Sequence, residues 1–113
     1  MKTEFIDYLA DILDSIHKID NFTHGMDFIE FKKDEKTIYA VVRALEVIGE
    51  ASKRIPPNIR KKHPEVPWKL MDGMRDKLIH EYFGVDLSII WKTIKDDLPA
   101  LKTAFEKLVS EHQ

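Results

Sequence analysis

The chain has 113 residues, no cysteine and a formal net charge of −2, with 43% hydrophobic and 34% charged side chains. That length supports one domain around a single core, and the composition is that of a folded globular protein, not of a disordered one. Disulfides, thiolate metal sites and cysteine nucleophiles are excluded, and with no signal-type apolar core and no run near the roughly 18 apolar residues of a membrane span, a cytoplasmic chain without a membrane partner is predicted.

Charge is distributed unevenly. Residues 1–52 carry 6 Lys/Arg against 11 Asp/Glu, residues 53–80 carry 8 against 3, and residues 81–113 carry 4 against 6. A basic middle suits contact with phosphates, although a solvated surface accounts for the same distribution.

Phe5, Ile6, Leu9, Ile12, Leu13, Ile16 and Ile19 recur at steps of three and four, which predicts an amphipathic helix over 3–20 with Thr3 as its N-cap. Its polar face, with Glu4, Asp7, Asp11 and Asp14, is a one-sign stripe that is either solvated or open to a basic partner. Turn chemistry follows at Asn21–Gly25, and residues 26–33 allow one loose helical turn. A second helix is predicted over 34–55 from Ile38, Val41, Val42, Leu45, Ile48 and Ala51 or Ser52. Gly49 lies inside it at a cost of about 1 kcal/mol relative to Ala, which suggests close approach of another backbone. Glu46 and Glu50 are like charges one turn apart. Either Arg43 and Arg54 answer them locally, or Glu50 reaches across the bundle and orients Arg75.

Pro56-Pro57 ends that helix, and Arg60-Lys61-Lys62-His63-Pro64 reads as an exposed basic loop. Pro67 then stands at the first position of a helix carrying Trp68, Leu70, Met71 and Met74, with a break or kink expected at Asp72-Gly73. Gly84 suits a C-cap, and Asp86 an N-cap for Leu87, Ile90, Trp91 and Ile94. Asp97-Leu98-Pro99 permits a kink or a new start before Leu98, Leu101, Ala104, Phe105 and Leu108. The fold class is therefore all-α, an antiparallel bundle of four to five helices without strands, over residues 1–113 as one domain.

Chemistry concentrates between Met74 and Asp86. Arg75 can hold a phosphate in a planar fork, and His80 can take or give a proton near neutral pH. On one straight helix, positions 75 and 80 point about 140° apart, whereas 75 and 82 lie within about 20°. Either Gly73 delays the regular helix until after Arg75, or two copies of the chain complete the site. The five histidines, at 17, 24, 63, 80 and 112, show no paired ligand spacing, so neither a metal nor another cofactor is predicted.

Arg75-Asp76-x-x-x-His80-x-Tyr82, preceded in order by Ile48-Gly49-Glu50-Ala51 and Pro64-Glu65-x-Pro67-Trp68 and followed by Asp97-Leu98-Pro99, resembles the HepT-like branch of the HEPN ribonucleases. That branch is the toxin half of HEPN/MNT toxin–antitoxin pairs, and the resemblance covers nearly the whole chain. It implies a homodimer whose cleft is lined by both copies of the motif, and metal-independent cleavage of an RNA substrate, tRNA or mRNA, with no DNA expected. His80 would be the general acid or base, and Arg75 would stabilise charge on the phosphate. Asp76 fills the polar position after the arginine, where it either orients a neighbour or caps the helix. An MNT-type nucleotidyltransferase antitoxin is implied as partner, with Tyr82 as the residue that accepts AMP; the other reading of Tyr82 is a packing aromatic. The alternative to a nuclease is a HEPN module that binds a nucleotide or a protein through the same cleft without cutting.

Overall fold

The centre of the apolar stripe of the first helix buries completely: Leu9, Ile12, Ile16 and Ile19 have no exposed surface, while Phe5, Ile6 and Leu13 are partly buried. In the computed structural model, which describes the backbone of residues 2–81 and 86–112 and the side chains of residues 5–74 and 86–112, this helix is α1, Lys2–Thr23. Thr3 lies inside it and is not its N-cap. The helix also outlasts the expected turn at Asn21, because the Thr23 hydroxyl donates to the Ile19 carbonyl at 2.8 Å and the chain reverses only at Gly25, with φ +76°. That left-handed conformation favours glycine.

The loose turn expected after Met26 is an ordered helix, α2 (Phe28–Lys33), begun by a reciprocal cap: Asp27 accepts from the Glu30 amide at 2.8 Å, and Glu30 accepts from the Asp27 amide at 3.2 Å. Asp34 caps α3 (Glu35–Lys53) through the Thr37 amide, which holds its carboxyl below the usual range. The inward face of α3 follows the expected period, with Val41, Val42, Leu45, Ile48, Ala51 and Ser52 all buried. Pro57 then opens a short helix, α4 (Pro57–Lys62), where a basic loop was expected.

Next comes α5 (Trp68–Glu81), which runs through Gly73 without a break. The break expected there is absent because Met71 and Met74, on either side of the glycine, are both buried and hold the helix on the core. Pro67 is one position outside it, its carbonyl accepting from the Met71 amide at 3.1 Å. Asp86 caps α6 (Leu87–Lys92) through the Ser88 amide and hydroxyl.

The final helix does not restart at Pro99, since helical backbone runs unbroken through it. Proline lacks an N–H, and its ring crowds the carbonyl four residues back. The chain meets this with one π-helical turn, Thr93–Asp97, in which the Leu98 amide reaches the Thr93 carbonyl, before α7 (Leu98–His112) continues.

Packing places α3 between α1 and α5, and α1 between α3 and α7. Neighbours run antiparallel: Arg54, just past the end of α3, stacks over Tyr8 near the start of α1, and Asp20 late in α1 pairs with Lys102 early in α7 at 3.0 Å. Trp68 at the start of α5 meets Phe105 of α7 edge-on at 5.8 Å, and Phe31 of α2 packs on Trp91 of α6 at 5.1 Å. The result is an all-α bundle of four long helices, the last being α6 continued through the π turn into α7, braced by α2 and α4; no strand occurs among the described residues. No described helix is long and apolar enough to cross a membrane.

Candidate functional site

Arg75 and Asp76 occupy one turn of α5, immediately beyond the buried Met74, and His80 the next. Their side chains, and Tyr82 entirely, lie outside the described residues. So does the contact expected between Glu50 and Arg75. Glu50 itself lines an open groove of about 360 Å³ between α1 and α3, beside Tyr8, Asp11, Arg43 and Arg54. Arg43 answers Glu46 at 3.6 Å, as the local reading of that acidic pair expects.

What positions α5 is a polar clamp that sequence reasoning assigned to solvent. Arg60, on α4, sends Nη1 to Asp72 Oδ2 and Nη2 to Asp72 Oδ1, both at 2.8 Å. Nη2 also donates to the Ser52 carbonyl, and Nε to the Ile55 carbonyl at 3.3 Å. The Ser52 carbonyl belongs to the last turn of α3 and that of Ile55 lies just beyond its cap, where a cation offsets the negative end of the helix dipole. Ser52, with no exposed surface, donates its hydroxyl to Asp72 Oδ1 at 2.7 Å. The guanidinium also lies 5.3 Å from the centre of the Trp68 ring. One arginine therefore ties the end of α3 to α5, one turn ahead of Arg75.

Burial pushes the Asp72 carboxyl up, but the hydrogen bonds from Arg60 and Ser52, together with the arginine charge, outweigh it and hold the group below the usual carboxylate range. The clamp is thus a charged pair at neutral pH, bidentate and only partly solvated, the geometry in which an arginine pair is strongest. Ser52 was the available signal: a hydroxyl on a core-facing helical position requires a partner.

The fold defines a class, the all-α helical bundles, before it defines a member. The HepT-like ribonuclease family matches residues 12–108, taking in every helix from within α1 to most of α7. A Thermococcus cleftensis protein named "Probable ribonuclease HepT" is 56% identical over 108 residues, covering 96% of this chain and 98% of its own. From Methanocaldococcus jannaschii, "Putative RNase MJ0125" is 51% identical, covering 92% of this chain and 90% of its own. "Putative RNase TTE0752" of Caldanaerobacter subterraneus is 44% identical, covering 94% and 95%. No solved structure gives a significant match. The chain belongs to the HepT-like ribonucleases.

Proposed function

We propose that this ribonuclease cleaves RNA phosphodiesters without a metal, as the toxin of a HEPN/MNT pair, with Arg75 and His80 as its catalytic residues. The observation that carries this reading is the family match across residues 12–108, which contains the whole of Arg75-Asp76-x-x-x-His80-x-Tyr82. In the proposed reaction the 2′-oxygen attacks phosphorus and the 5′-oxygen leaves. His80 accepts the 2′-hydroxyl proton or supplies one to the leaving oxygen, and Arg75 binds the non-bridging oxygens as negative charge accumulates on them.

Helix geometry supports a site made by two copies. Because α5 is continuous through Gly73, positions 75 and 80 sit on faces about 140° apart. A second chain, related by a two-fold axis, brings the missing group. Asp76, beside Arg75, orients it within that cleft. Tyr82 accepts AMP from the partner nucleotidyltransferase, and the added phosphate and adenosine block the substrate phosphate. The test incubates purified chain, free of its antitoxin, with total tRNA and mRNA in EDTA. Cleavage that disappears in His80→Ala is expected, and intact RNA with the wild type refutes the proposal.

A further inference from the structure

His63 and His112 are 49 positions apart in sequence, yet their Nε2 atoms lie 3.2 Å apart. A carboxylate oxygen of Glu111 completes a set of three donor atoms that fall within 4.8 Å of one another. We propose that His63, His112 and Glu111 form a site for a borderline divalent transition metal of the zinc type, fastening the end of α7 to the α4–α5 connection.

Two imidazole nitrogens on one tetrahedral zinc, each bonded at about 2.0–2.1 Å, stand about 3.3 Å apart. The separation found here already matches that edge. The two rings are also held in place. His63 is nearly enclosed, at 13% side-chain exposure. Its backbone carbonyl accepts from both the Val66 amide, at 3.2 Å, and the Trp68 indole, at 3.0 Å. The His112 ring is held edge-on against Phe5 at 5.4 Å and stands at 78° to the His63 ring. Such preorganisation lowers the cost of gathering ligands.

On the far side of His63, Nδ1 faces Glu65 Oε1 at 3.5 Å. A proton kept on Nδ1 leaves the Nε2 lone pair for the metal, the usual arrangement around a ligating histidine. Without metal, one Nε2–H donates to the other; binding displaces that proton. Among the described residues Glu111 pairs only with Lys107, at 4.0 Å, so its exposed carboxylate can close onto the ion. Imidazole with carboxylate selects zinc and its neighbours over magnesium or calcium, and the fourth position is left to water. No ligand of this site lies on α5, so the metal braces the bundle and takes no step in RNA cleavage.

The test titrates untagged, EDTA-washed and dialysed protein with zinc in a calorimeter, comparing wild type with His63→Gln, His112→Gln and Glu111→Gln. One zinc per chain is expected. Each substitution should weaken binding by at least the roughly 10- to 100-fold that follows loss of an outer partner of a metal ligand. Because His63→Gln touches a packed ring and risks unfolding the chain, cobalt(II) is added to the wild type as an independent measurement, and the visible absorption of a tetrahedral nitrogen and oxygen set is expected. Absence of stoichiometric uptake overturns the site, as does uptake unchanged in either histidine variant or in Glu111→Gln, or a purely octahedral cobalt spectrum.

Discussion

Arg60 and Asp72 form a parallel two-point pair, Nη1 to Oδ2 and Nη2 to Oδ1, each at 2.8 Å. Because Asp72 lies on α5 and the remaining donors of Arg60 serve the carbonyls closing α3, this pair sets the axial position of the helix that carries Arg75 and His80. Arg60→Ala is expected to cost about 2 kcal/mol, through carbonyls and a carboxylate that lose their partner. Arg60→Lys should restore little, since a single ammonium cannot reproduce the fork. Urea denaturation measures both, and an unchanged midpoint in Arg60→Ala removes the clamp from the account of stability.

The same pair predicts a pH dependence. Folding lowers the Asp72 carboxyl below its reference value of 3.8. The stabilisation is therefore fully present above the unfolded value, near pH 4, and is lost as pH falls through the depressed folded value. Asp72→Asn should be less stable than wild type at pH 6 and should lose less on acidification to pH 3. Parallel curves for the two proteins in acid would contradict this.

Catalytic assignment is tested at α5 itself. His80→Ala should lower cleavage by about 10²- to 10⁴-fold through loss of the proton carrier, and Arg75→Ala by about 10²- to 10³-fold through loss of charge stabilisation. Helical circular dichroism and thermal midpoint should stay near wild type in both. Full activity in either variant, or global unfolding of either, sinks the assignment.

A two-copy site makes a sharper prediction. Wild type should sediment as a dimer at micromolar concentration, and mixing Arg75→Ala with His80→Ala chains should return part of the activity that each lacks. A fully active monomer would rule this out.

For Tyr82, conservative replacement separates packing from regulation. Tyr82→Phe keeps the ring and removes the hydroxyl, so the nuclease should survive, and the adenylate mass expected on wild type after co-expression with an active nucleotidyltransferase should be missing. Adenylate still present on Tyr82→Phe moves the acceptor elsewhere. Absence of added mass on wild type argues against modification altogether.

The long helices were legible because burial repeats at their period: Leu9, Ile12, Ile16 and Ile19, or Val41, Leu45 and Ile48, announce one face each. Two short-range misreadings have physical causes. Pro56-Pro57 reads only as a stop, whereas Pro57 also starts a helix, where its missing N–H costs nothing. Gly73 reads as a break, but its propensity penalty of about 1 kcal/mol is small beside the burial of Met71 and Met74. The candidate catalytic residues were visible as a motif, since they lie within one helix. The contacts of Arg60 with Asp72 and of His63 with His112 were not, because they join separate elements and leave no periodic trace in the chain.

The widened turn at Thr93–Asp97 makes the last helix intolerant of one kind of change. Substitution there alters only side chains, and Lys95 or Asp96, both exposed, should accept many replacements. Lengthening is different: the turn already holds one residue more than an α-helical turn, so a further residue inserted there turns everything downstream by about 100° relative to α6. Either Ile90 and Ile94 or Leu98, Leu101 and Phe105 would then leave the core. The spacing between the two halves, counted in residues, is thus a more stringent requirement of this segment than the identity of the residues that fill it.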